Sequence, residues 1–286
     1  MTFIGEWGTH GDGPGKLNHP EWIATDSAGN VFVADSGSGD IHKFGADGHP
    51  LLSFNEGVPR EAFRVAVDAG EAIYVLAPNV NSLFLYSPEG EPFRHYALAP
   101  QRGHQRPESV AVDDSGDIFV IVDLSGGRGQ DNAGRREIRE YNSRGRYRKT
   151  LTVADTSGSK FVPASLGAGP DGYVYVLDVT GDRVQKFSGD GDYSAGWSTP
   201  IPAGAPAGAD STGLGIAVNS KYVFAADTEN RGVRVWMLDG QDKLTDDLGG
   251  RLQGSLGQYQ IAVNRRGELF VLDLAGGRIL RFRINF

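Results

Sequence analysis

The sequence predicts an all-β fold, a six-bladed β-propeller with four antiparallel strands per blade and the N-terminal strand closing the last blade. Three observations predict it. One small unit recurs six times along 286 residues. The second strand of every unit is apolar on both alternating faces, which demands cover on both sides. A surplus strand at the head of the chain answers a missing strand at its tail. The unit is clearest at 29–48, GNVFVADSGSGDIHKFGADG: turn, apolar strand, Asp-Ser-Gly loop, strand, Gly turn. Chains built from units of this kind are read from the repeat before any site is sought.

Each unit opens with a short strand, WIATD (22–26), RVAVD (64–68), SVAVD (109–113), SLGAG (165–169), GIAVN (215–219) and QIAVN (260–264). A tight turn follows, usually carrying Gly, which supplies positive φ without steric cost. The second strands are placed at 31–35, 73–77, 118–122, 174–178, 223–227 and 269–273. Third strands are more polar and end on aromatics such as Phe44, Tyr86, Tyr141, Phe187 and Trp236. Another Gly turn leads to a polar fourth strand. The second strands end at intervals of 42, 45, 56, 49 and 46 residues, and periods of about 40–50 with four strands per unit mark a propeller. The sixth unit stops after its third strand. A ring with an unpaired edge would expose backbone donors and acceptors, so Thr2–Trp7 is expected to pair with 278–286. The repeats leave no gap for a second domain, and 1–286 is read as one.

The segment DGPGKLNHPEWIATDSAGNVFVADSGSGDIHKF (12–44) resembles an NHL repeat: Gly-rich loop, Pro, apolar strand, Asp, Gly-Asn, VYVAD-type strand, then a basic strand ending in Phe. Units three and four resemble it well, and two, five and six are more diverged. The resemblance implies the propeller fold. It leaves function open, because NHL proteins include scaffolds, RNA binders, lyases and sensor domains.

Composition narrows the functional classes. There are 41 Gly, as suits a turn-rich chain, and no Cys, so no disulfide, thiolate metal site or Cys nucleophile. A net charge of −8 disfavours nucleic acid and anionic membranes as partners. No apolar run approaches the ~20 residues of a membrane helix, and no signal peptide is visible at the N-terminus. A cytoplasmic location is expected.

Connections from strand four to the next strand one, and from strand two to strand three, share one face. That face carries the long segments, at 8–20, 124–135 and 198–213, while the other has only tight turns. Long loops concentrate where function sits. At the mouths of the inner strands, where the NHL pattern usually has Gly two residues after Pro, this chain has Trp22, Arg64, Ser109, Ser165, Gly215 and Gln260. The preceding residues include Glu21, Phe63, Glu108 and Tyr259. This double ring around the channel suits a small polar ligand or short peptide in a partly apolar cup. Glu21 and Glu108 are the candidate acid/base pair, and Arg64 the candidate stabiliser of developing negative charge. Trp22, Phe63, Ser109, Ser165, Tyr259, Gln260 and His19 are the candidate binding residues. The structural alternative pairs Arg64 with Glu21 and Glu108 around a water-filled axis.

A lyase, hydrolase or cyclase using channel carboxylates is one functional reading. A non-catalytic propeller that binds a ligand or a protein partner is the other. Asp35, Asp178, Asp227 and Asp273 end second strands in register and are read as loop caps. The resemblance to NHL-type lyases, whose channel histidines bind zinc, draws attention to His10, His19 and His104. These precede the strands in Gly-rich segments, so neither a metal nor a cofactor is expected. The basic run 135–149 is interleaved with Glu137 and Glu140 and is read as a solvated outer face.

Overall fold

The computed structural model describes residues 1–58, 64–98, 105–124, 135–151, 161–178, 183–198, 215–227, 231–246, 248–252 and 259–285. The strands form six four-stranded antiparallel sheets, and in the first five the strands lie in chain order. Blades one to five run over 20–54, 64–97, 106–151, 163–198 and 216–246. Blade six combines Tyr259–Val263, Glu268–Asp273 and Arg278–Arg283 with the N-terminal strand Thr2–Trp7. Each inner strand packs beside the next, and that of blade six returns to that of blade one.

The second strands show why the ring forms. Every residue of Val31–Asp35, Ile73–Ala77 and Glu268–Asp273 is buried. Side chains alternate across a strand, so each strand feeds two cores. Phe32 and Ala34 join Ile73 and Val75 of blade two, while Val31 and Val33 join Phe270 and Leu272 of blade six.

The closing strand pairs as the chain ends require. Trp7 lies opposite Ile279 and Thr2 opposite Arg283, with a bulge between Phe3 and Gly5. Trp7 also fastens blade six to blade one. Gly48 turns at φ +88, and a Cβ there would fall 2.6 Å from Trp7 Cγ. Only glycine meets both demands. The Tyr96 ring of blade two sits in the same way on Gly145 of blade three, at φ +69.

Two expectations shift. The inner strands of blades one, three and four start earlier than the apolar pattern indicates, at Pro20, Arg106 and Pro163. Each contains a bulge directly after its Pro, at Glu21, Glu108 and Ala164. The basic run is also not wholly a solvated face. Arg139 is buried and Arg136 partly buried in blade three, whereas Arg144, Arg146 and Arg148 of the same run are exposed.

Candidate functional site

The inner-strand positions picked out from sequence are equivalent in three dimensions. Trp22, Arg64, Ser109, Ser165 and Gln260 lie opposite Ala34, Leu76, Ile121, Leu177 and Leu272 of their second strands. They form one ring near the face of the long connections. Two residues further on, the same face of the strands carries Ala24, Ala66, Ala111, Gly167, Ala217 and Ala262, which line a narrow stretch of channel of about 130 Å³. Two more residues on come Asp26, Asp68, Asp113, Gly169, Asn219 and Asn264, which begin the tight turns.

The ring carries buried charge, and the charges are matched. Arg64 is 2% exposed. Its Nη1 donates to Glu21 Oε2 at 2.8 Å, its Nε donates to the Glu108 carbonyl at 3.0 Å, and its guanidinium lies 5.0 Å from the Trp22 ring. The Glu108 carboxylate turns instead to Arg136, 2.9 Å away. Arg136 Nη1 donates in turn to the Pro163 carbonyl at 3.3 Å. One chain of polar contacts thus runs from blade one to blade four. Buried charges persist only when paired and hydrogen-bonded, and each link here comes from a different strand. The bulges place Glu21 and Glu108, since a bulge re-aims the side chain it carries.

The other predicted residues divide. Ser109 and Ser165 are buried, and their hydroxyls make no hydrogen bond among the described residues. Gln260 is buried and packs against Gly215, where a Cβ would meet Gln260 Oε1 at 2.9 Å. Tyr259 is a strut: its hydroxyl donates to the Gly232 carbonyl of blade five at 2.5 Å, and burial raises its pKa far above the ordinary phenol value. His19 is exposed. Its backbone N–H donates to Asp35 at 2.9 Å, and its ring centroid lies 6.3 Å from that of His10. Phe63 and His104 lie outside the described residues.

Asp35 and Asp273 cap the loops that follow them, accepting from the backbone N–H groups of Gly37 and Gly276. Asp35 also accepts from those of Asn18 and His19. Asp178 and Asp273 each hold an Arg of the following strand, Arg183 and Arg278, at 2.9 and 3.1 Å. That recurring Arg is the signal that would have found Arg136, which opens the third strand of blade three in the same place. Among the described residues, no group of three or more His, Asp or Glu side chains stands ready to hold a metal ion. No described helix is long and apolar enough to cross a membrane.

Chemically, the ring offers a carboxylate, Glu21, with a fifth of its side chain exposed, set against a guanidinium stacked on an indole. Such a group can accept a proton beside a fixed positive charge.

No protein-family model and no curated protein matches this chain. Solved structures do match its fold. A streptogramin B lyase is similar over 100% of this chain and 99% of its own, at 14% identity and a TM-score of 0.65. A catalytically inactive histidine-to-alanine variant of virginiamycin B lyase from Staphylococcus aureus, with quinupristin, is similar over 93% of this chain and 95% of its own, at 10% identity and a TM-score of 0.61. A structural genomics protein of unknown function from Bacteroides thetaiotaomicron is similar over 100% of this chain and 75% of its own, at 15% identity and a TM-score of 0.65. At these identities the likeness is one of fold.

Proposed function

We propose that the channel mouth at the Trp22–Arg64–Gln260 ring binds a small molecule or short peptide and carries out acid/base chemistry of the lyase, hydrolase or cyclase kind. Glu21 is the proton acceptor and Arg64 the stabiliser of developing negative charge, while Glu108, tied to Arg136, positions Arg64 through its carbonyl. The observation that carries this reading is the buried Arg64, held between blades one and three, with the partly exposed Glu21 as its partner. Ordering buried charge across separate blades is costly, and strongly desolvated charges cluster at functional sites. The lyases of similar fold supply the first probe, quinupristin.

The test incubates the purified chain with quinupristin and follows product by liquid chromatography and mass spectrometry. Turnover that falls at least ~100-fold in Glu21→Gln, with affinity for the probe retained, is the expected result for loss of a proton acceptor. Equal turnover by Glu21→Gln overturns the assignment of the base. The second reading, a propeller that binds without catalysis, is favoured by one observation: Arg64 and the Glu108 carboxylate both already have protein partners. Probe binding without product, in both the native chain and Glu21→Gln, selects it.

A further inference from the structure

We infer that the ion pair between Asp114 and Arg265 is a strap across the axial channel at the tight-turn face that limits entry to the channel from that face. Arg265 Nη2 lies 3.1 Å from Asp114 Oδ1. Asp114 belongs to blade three and Arg265 to blade six. In a ring of six these blades are three steps apart in either direction, so the contact passes over the axis.

The residues at this level of the six blades are Ser27, Ala69, Asp114, Pro170, Ser220 and Arg265, each directly after the residue that begins the turn. Four are small or neutral. The two charged ones have opposite sign and stand on opposite blades, and the cation is Arg, the longest side chain available to span the gap. All six line one cavity of about 240 Å³ at this end. That cavity shares Thr25, Val67, Val112, Ala168 and Val263 with the narrow Ala-lined stretch, so the two are continuous along the axis beneath the strap.

The rims that carry the pair are held fixed. Asp113 Oδ1 accepts from the backbone N–H groups of Ser115 and Asp117 at 2.9 and 2.8 Å. Asn264 Oδ1 accepts from those of Arg266 and Glu268 at 3.0 and 2.9 Å. Only side-chain torsions remain to be set for the pair to form. Both side chains are about half exposed, 51% and 56%. A pair so placed is weak and screened by salt, which makes it a strap that opens rather than a plug.

The chain has no Cys, so a single thiol reports on access. Ala262→Cys places it in the narrow stretch, to be modified by methyl methanethiosulfonate, a small neutral reagent. Adding Asp114→Ala or Arg265→Ala is expected to speed modification about tenfold or more, and the reversed pair Asp114→Arg with Arg265→Asp to restore the slow rate. Raising ionic strength from about 0.05 to 1 M should speed modification when the strap is present and leave it unchanged in Arg265→Ala. Equal rates in all of these variants overturn the inference. Should Ala262→Cys fail to fold, Ala66→Cys on blade two carries the same measurement. The readout needs no substrate, so its failure and that of the proposed activity are told apart.

Discussion

The two ends of the axial channel satisfy their polar groups in opposite ways. At the tight-turn end, Asp26, Asp113, Asn219 and Asn264 each bind backbone N–H groups of their own turn, within five residues. At the end of the long connections, Arg64 reaches 43 residues back to Glu21 and 44 forward to Glu108. These turn contacts follow local rules and would form in any blade; of the described channel charges at this end, the half-exposed Asp114–Arg265 pair alone spans two blades. The Arg64 contacts exist only when separate blades meet. Long-range satisfaction of buried charge is the costlier arrangement, and it marks the end where the site is proposed.

The comparison breaks most sharply at Arg64. Arg64→Met removes the cation from a buried pair and leaves Glu21 and the Glu108 carbonyl unmatched. A loss of about 3–5 kcal/mol is expected in urea denaturation; a loss below ~1 kcal/mol would show that the pair is effectively solvated. Next comes Gly145→Ala, again a contact between blades. Left-handed backbone costs about 1–2 kcal/mol by itself, and the added Cβ strikes the Tyr96 ring, so the thermal midpoint should fall clearly. Asp26→Ala tests the local end. It frees the Asn30 backbone N–H held at 2.8 Å and should lose about 1 kcal/mol, with blade-to-blade contacts unaffected.

The smallest effects lie in pH dependence, and they run in opposite directions at the two ends. His42 is buried between Ser38 and Ser53 near the long-connection end. Burial lowers its pKa below the ordinary 6.5, against the opposing pull of Asp35 and Asp40. Its contribution to stability is present above 6.5 and is lost as pH falls through the folded value. His42→Gln should therefore flatten the stability curve between about pH 7 and 5. Asp113, at the tight-turn end, has its pKa raised from 3.8, chiefly by burial. Its contribution is present below that value and is lost as pH rises through the folded one. Asp113→Asn should gain on the native chain as pH rises from about 4 to neutrality. Denaturation curves over that range check both signs.

Much of the architecture was legible because its causes are local. Two-sided apolarity in VFVAD-type strands, Gly turns and a surplus N-terminal strand predict the ring and its closure. The equivalence of Trp22, Arg64, Ser109, Ser165 and Gln260 was legible for the same reason, since a shared strand pattern fixes a shared level. Partner choice was legible only in part: the pairing of Arg64 with Glu21 was one of the alternatives read from the sequence. Glu108 was a candidate partner of Arg64, yet its carboxylate lies on Arg136 and its carbonyl accepts from Arg64. A bulge at Glu108 changes which way the side chain points, and apolar periodicity does not report bulges. Tyr259 looked like a wall of the cup and is a strut between blades five and six, because its hydroxyl meets a carbonyl supplied by another repeat.

The sequence alone determined a closed ring of six sheets and the level at which each inner-strand residue sits; the long segments at 125–134 and 199–213 lie outside the described residues. The ring and its levels follow from strand period, turn chemistry and the need to pair every sheet edge. Only the tertiary structure decided which charges meet. Glu21 with Arg64, Glu108 with Arg136, and Asp114 with Arg265 are 43, 28 and 151 residues apart along the chain. The distance between two charges, and the solvent left between them, is set by folding each strand against its neighbours and closing the ring. The order of residues specifies neither.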